Sequence, residues 1–287
     1  MSTTLETELL AGLARVAAHH PLPRVRALHL PPLDAPNDTA RDRGEFCALE
    51  LEDGALGLAY VLLDDTLARL HAETPGLGLA GSDPLVLARA AVGGQGLVRM
   101  LGLAAINALS RHVFDRAGYV PPRSTDSIGQ VDPQPGERIG MVGYFRPLAK
   151  RIAEVGARLV VLELDAALVG EHPDCTVTLD PAALGSCPKV LCTASTLING
   201  SLERMLKAAA SARHFALIGP GAGCLPDALF AHGVTLMGGN WIADGPAFVD
   251  ALRRGEGWSG HGWKFAIARG HYPGLDALLA GCPAAPS

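Results

Sequence analysis

The chain has 287 residues, 48% hydrophobic and 18% charged, a balance that can bury enough apolar surface to offset ordering entropy and excludes wholesale disorder. At roughly 150 residues per domain, this length predicts two domains. The formal net charge is -5 and the 24 basic residues stand singly or in pairs, so no cationic stripe is present and nucleic acid is not an expected partner.

Met1 to Leu10 carries Glu6 and Glu8 without a basic n-region, which does not read as a signal peptide and leads to the expectation of a cytoplasmic protein. Leu5 to Ala18 has apolar residues at helical spacing and stops before Pro21, predicting a first helix. Val25–Leu30, Phe46–Leu51 and Leu56–Leu63 read as strands. The Glu52-Asp53-Gly54 turn favours a hairpin between the last two, because glycine tolerates positive φ. Helices are predicted at Pro84–Val92, behind a Ser82-Asp83 cap, and at Leu97–Phe114. The latter includes the most apolar stretch, Leu97 to Leu109, which is interrupted by Arg99 and Asn107 and too short to cross a bilayer. No membrane partner is expected. Strands followed by helices make residues 1–120 an α+β domain.

Gly118 to Glu137 contains Pro121, Pro122, Pro133 and Pro135 and cannot form a regular element, so 121–137 is read as an interdomain linker. Should it fold over a cleft, Thr125 to Ser127 would supply polar contacts. Beyond it strand and helix alternate: strand Arg138–Val142, helix Pro147–Val155, strand Arg158–Leu162, strand Lys189–Cys192, helix Ser201–Ala212, strand Phe215–Ile218, helix Pro226–Ala231, strand Val234–Met237 and helix Pro246–Arg253. Five apolar strands separated by helices argue for a doubly wound parallel sheet in 138–287, making the chain an α/β protein.

In such a sheet, ligands bind outside the carboxyl ends of the strands. The first strand runs into Gly143-Tyr144-Phe145-Arg146-Pro147, and Glu163 follows Gly143 by 20 residues, the spacing at which an acidic side chain can accept a ribose hydroxyl. The loop has G-x-x-G in place of G-x-G-x-x-G, so ordinary strand-helix packing and a nucleotide-like ligand both stay open. The loop Thr193 to Ser201 carries Thr193, Ser195, Thr196 and Asn199. It reads as an anion or carboxylate site, as a capped helix with Asn199 or Ser201 at the N-cap, or as both. The loop Gly219-Pro220-Gly221-Ala222-Gly223-Cys224 places a thiol at a helix start, where the dipole would favour a thiolate. Cys224 is therefore a candidate reactive or metal-binding residue, with a buried inert thiol as the alternative, since no histidine lies at motif spacing. Asn240 closes the last strand among glycines and could hydrogen-bond a ligand. Gly255 to Tyr272, with Trp258, His261, Trp263, Lys264, His271 and Tyr272, suits a lid or a segment packed on the other domain. The six cysteines form no C-x-x-C pair, and the zinc-protease, nucleophile-elbow and Walker patterns are absent.

Val142-Gly143-Tyr144-Phe145-Arg146-Pro147, Thr196-Leu197-Ile198-Asn199-Gly200-Ser201, and Gly219-Pro220 followed by Leu229-Phe230 and Gly233-Val234 resemble the heavy-metal chelation family known as domain of unknown function 364. Ala104 to Leu109 looks like that family's interdomain helix, and the resemblance covers nearly the whole chain. It implies an enolase N-terminal-like α+β domain, a Rossmann-like domain and a site in the cleft between them. Members usually carry serine or threonine and proline after the Gly-Pro of the third loop, where this chain has Gly221-Ala222-Gly223-Cys224. That loop's contacts are expected to differ here.

The combined expectation is a protein that binds, and could process, a small polar ligand or metal chelate in the cleft, in a heavy-metal chelation or homeostasis role. Asn107, Gly143, Tyr144, Phe145, Glu163, Thr193, Ser195, Thr196, Asn199, Gly219 and Pro220 would line the site, and Cys224 would be its metal ligand. A metal ion or metal chelate is the implied cofactor. The oxygens are mostly neutral, whereas a soft metal calls for thiolate or imidazole, so a metal already held by an organic chelator fits better. The alternative is an enzyme using a dinucleotide or S-adenosylmethionine, with Glu163 on the ribose. A third reading, a non-catalytic interaction protein, predicts a large exposed apolar patch.

Overall fold

The computed structural model describes residues 4–34, 45–62, 65–126 and 128–282, so Ser127 and the expected strand end at Leu63 lie outside the described residues. The first helix, α1 (Leu5–His19), begins where the Thr4 side chain accepts from the Thr7 amide and ends before Pro21. Glu6 and Glu8 in its first turn complement the dipole, and Leu5, Leu9, Leu13 and Val16 form its buried stripe. Strands β1 (Val25–His29), β2 (Phe46–Leu51) and β3 (Leu56–Tyr60) make an antiparallel sheet in that order. The turn joining β2 to β3 has Gly54 at φ +89°, as the Asp-Gly signal predicted.

Helices α2 (Thr66–Glu73), α3 (Pro84–Ala90) and α4 (Gly96–Arg116) follow, with Asp83 capping α3 through the Leu85 amide at 2.9 Å. α2 went unread because only Leu67 and Leu70 mark its apolar side. α4 is buried on almost every face from Met100 to Phe114, which explains a sequence there that is apolar all round. Its backbone lies directly on β3: a Cβ added to Gly57 would sit 2.1 Å from the Ala104 carbonyl oxygen and 2.2 Å from the Ala108 nitrogen.

The rest of the chain builds one large sheet. Its strands are β4 (Arg138–Val142), β5 (Arg158–Leu162), β6 (Gly170–His172), β7 (Cys175–Thr178), β8 (Lys189–Thr193), β9 (His214–Ile218), β10 (Leu236–Ile242) and β11 (Gly262–Ala268). Interleaved with them are α5 (Arg146–Glu154), α6 (Ser195–Ile198), α7 (Leu202–Ala208), α8 (Asp227–Ala231), α9 (Gly245–Arg253) and, last, α10 (Leu275–Gly281). The spatial order is β11-β10-β9-β8-β4-β5-β7-β6. The pairs from β7 to β10 are all parallel, and the outermost β6 and β11 are antiparallel. The six parallel strands thus follow a doubly wound order that reverses between β4 and β8.

β4 and β5 begin and end where the apolar runs predicted, whereas β6 and β7 are short, with Cys175 and Val177 their only buried residues. The predicted helix 201–212 is α7, which stops at Ala208, and the unpredicted short α6 precedes it across Asn199-Gly200. The segment read as a lid or as packing on the other domain divides. Trp258 inserts between Phe46 and Phe248, with ring centroids 6.1 and 5.2 Å away, while 262–268 is the edge strand β11. The proline-rich 121–137 is no free spacer. Its Ser124 amide donates to the Lys264 carbonyl (2.8 Å) and its Pro122 carbonyl accepts from Ala266 (3.1 Å), extending the sheet past β11. Among the described residues, no helix is long and apolar enough to cross a membrane.

Candidate functional site

The strand-order reversal puts the loops after β4, β8 and β9 side by side at the carboxyl edge. A Cβ on Gly143 would lie 3.1 Å from Thr193 Cγ2, and one on Gly219 would lie 3.4 Å from the Ala194 Cβ. These contacts link the three loops in a row, and small residues are what permit it. In the middle loop the Thr193 hydroxyl meets the Ser195 hydroxyl at 3.2 Å and accepts from the Ser195 amide at 3.2 Å. Both residues are only partly buried, so their hydroxyls retain donor and acceptor capacity. Pro220 is likewise partly exposed beside them.

Glu163 belongs to the same edge with a different task from the one its spacing suggested. One carboxylate oxygen accepts from the Tyr144 amide and the other from the Leu164 amide, each at 2.8 Å. The side chain braces the end of β5 against the loop after β4. Tyr144 and Phe145 are partly buried against the core cluster that holds Ile139, Met141 and Val177, and the Phe145 ring comes within 3.7 Å of where a Cβ on Gly143 would stand. Tyr144 lies 5.8 Å from the His172 ring and 5.0 Å from the Arg146 guanidinium.

Asn107 and Thr196 came out as structural polar residues, 2% exposed each. The Asn107 amide donates to the Leu58 carbonyl of β3 (2.8 Å) and to the Gly221 carbonyl of the third loop (2.9 Å), tying the small sheet to the large sheet's edge. One turn later Ser110 accepts from the Leu225 amide at 3.0 Å. Thr196 donates to the Thr193 carbonyl at 2.6 Å and fixes the start of α6. Asn199 lies beyond α6, where its Oδ1 accepts from the Ser201 amide (3.1 Å) and hydroxyl (2.6 Å).

Cys224 sits in the core with no exposed surface, and burial pushes its thiol up to about 12. The helix it precedes, α8, has five residues and begins only at Asp227. Desolvation thus outweighs the dipole, and the thiol stays protonated at neutral pH. Cys47 and Cys192 are pushed up to about 12 for the same reason. Among the described residues, no three His, Cys, Asp or Glu side chains converge to hold a metal ion. These side chains do not fit a bare soft metal, which favours thiolate or imidazole.

Two groups on the small sheet went unread. Tyr60 ends β3, and its phenol is raised above its ordinary value by burial and then by the charges of Glu45 and Glu163. That influence places Tyr60 within electrostatic reach of the large sheet's edge. Glu45, just before β2, is 6% exposed. Neither belongs to a motif; the pairing of β2 with β3, which sets Phe46 opposite Tyr60, brings them together.

Comparison with known proteins agrees with this architecture. A family model, domain of unknown function 364, described as "Putative heavy-metal chelation", matches residues 126–266. A second, domain of unknown function 4213, with the same description, matches 44–110. A structure of a domain of unknown function 364 family protein from Pyrococcus horikoshii superimposes with a TM-score of 0.67 at 20% identity, covering 92% of this chain and 100% of that one. Another from Desulfitobacterium hafniense gives 0.66 at 20% identity, covering 94% and 100%. No curated protein matches the chain. Residues 126–266 thus belong to the domain of unknown function 364 family, with the domain of unknown function 4213 model in tandem before them at 44–110.

Proposed function

We propose that the protein binds a small polar molecule, a metal already wrapped in an organic chelator, in the cleft between an N-terminal half (1–120) and a C-terminal half (138–287). The observation that carries this reading is the row Gly143, Thr193, Ser195 and Gly219 at the strand-order reversal. Hydroxyls and backbone groups suit the organic periphery of a chelate, whereas the buried, protonated cysteines do not suit the metal itself. Glu163 holds the loop after β4 through two backbone amides, and that loop lacks the full G-x-G-x-x-G pattern that lets a pyrophosphate approach, so a nucleotide cofactor is not favoured.

Thermal unfolding of the full chain separates these readings. Zinc or nickel bound to histidine should raise Tm, because a ligand present at a hundredfold excess over its Kd stabilises the native state by about 2.7 kcal/mol. The metal ions alone and NAD should leave Tm unchanged. Stabilisation by the bare ions or by NAD, or none by the chelates, overturns the proposal.

A further inference from the structure

We propose that a second site, a cavity of about 290 Å³ between the α3–α4 turn and the end of α6, binds the carboxylate or phosphate group of a small polyanion. The proposal does not rest on the chelate reading. Arg99 and Asn199 both line this cavity, together with Gln95 and the glycines of the α3–α4 turn. Arg99 is 9% exposed, which is uncommon for an arginine and requires that its charge be met.

The guanidinium is only partly spent. It has five N–H donors. Nε donates to the Leu197 carbonyl at 3.0 Å, Nη1 reaches the Ala91 carbonyl at 3.5 Å, and Nη2 pairs with Glu6. Two N–H groups are left for an acceptor from the cavity. Gly200 is what lets an acceptor near, because a Cβ there would lie 3.2 Å from Nη2. Asn199 uses its Oδ1 to hold Ser201, which orients its Nδ2 as a further donor. The unspent Arg99 N–H groups and the Asn199 amide are the donors an oxyanion would use. The volume exceeds that of a single phosphate and leaves room for the remainder of a polycarboxylate.

Glu6 decides the affinity. Its carboxylate already neutralises Arg99, so an incoming anion meets hydrogen-bond donors with little net charge, and binding should be modest. Removing that carboxylate should strengthen it. Titration calorimetry of the metal-free full chain with citrate, and separately with inorganic phosphate, tests the site and tells polycarboxylate from phosphate. Glu6→Gln should bind about tenfold more tightly, the value of one charge-assisted contact. Asn199→Asp keeps the Ser201 acceptor while replacing the donor with a negative charge, and should weaken binding by a similar factor of about ten. Ser195→Ala, at the sheet edge, should not change either titration, which separates this site from the chelate cleft. The proposal is overturned if neither anion binds at millimolar concentration, or if Asn199→Asp and Glu6→Gln leave Kd unchanged while both variants melt cooperatively.

Discussion

The amino and carboxyl edges of the large sheet are the two ends of the same parallel strands, yet opposite chemistry closes them. At the amino edge Glu137, just before β4, holds Lys189 at 2.8 Å and Arg213 at 2.7 Å, drawing the starts of β8 and β9 together. Its carbonyl accepts from the Arg158 amide at 2.7 Å, and His214 meets the Gly129 carbonyl at 2.8 Å. The carboxyl edge is instead assembled from hydroxyls, small residues and backbone amides, as in the Thr193–Ser195 pair and the amides on Glu163. A carboxylate shared between two cations has used its capacity on the fold. A hydroxyl that meets one neighbour still has a donor or lone pair to give. One edge is therefore a fastening and the other keeps polar groups unspent, which is where the proposed ligand would bind, although their strands are continuous.

Substitutions at each edge can break this contrast. The largest effect should come from Glu137→Ala, which leaves Lys189, whose side chain is 12% exposed, without a counter-charge and with only the Asp132 carbonyl at 2.7 Å to meet it. A loss of about 3 kcal/mol is expected in urea unfolding, with chelate-induced stabilisation unchanged. The same carboxyl sets an acid limit. Burial pushes its pKa up, but the Lys189 hydrogen bond, the Gln134 amide and the charges of Lys189 and Arg213 outweigh it and hold it below its ordinary 4.5. A carboxyl with a lowered folded pKa stabilises fully above its unfolded value and loses that stabilisation as pH falls through the folded one. Stability of the native sequence should thus drop below about pH 4.5 more steeply than that of Glu137→Ala.

At the other edge Glu163→Gln keeps one acceptor oxygen and loses the second, so either the Tyr144 or the Leu164 amide is left unmet. About 1 kcal/mol should be lost in urea unfolding, together with part of the chelate response. The smallest stability change belongs to the Thr193→Val, Ser195→Ala pair, which should cost about 1 kcal/mol or less yet abolish the chelate's Tm shift. If that double variant binds normally, or if Glu137→Ala loses binding while remaining folded, the division of labour between the edges is wrong.

The fold was legible where apolar runs are long and clean. β4 and β5 could be read to the residue, and α4 nearly so, because Ile139, Met141, Val160 and Val161 have no polar competitors between them. β11 was missed since its neighbours, His261, Trp263, Lys264 and His271, hide the alternation of Phe265 and Ile267. The three loops of the candidate site were visible as glycine and hydroxyl clusters ending strands. Glu45 and Tyr60 were not: strand register brings them together, and no local spacing encodes that. Glu163 was found by spacing, but its bonds to two amides are a tertiary outcome. Arg99 and Asn107 were both visible as interruptions of an apolar stretch. What each one holds depends on Glu6, Leu197, Leu58 and Gly221, residues far off in the chain.

The Asn107 side chain acts as a rivet between the two sheets. One amide group donates to the Leu58 carbonyl of β3 and to the Gly221 carbonyl of the loop after β9, while the close approach of Gly57 to the α4 backbone denies the helix any slide along β3. At 2% exposed the carboxamide has no water to turn to, so parting the sheets would leave buried polar groups unmet at a cost of about 1–3 kcal/mol. A single side chain thereby sets the spacing of two sheets that share no backbone pairing.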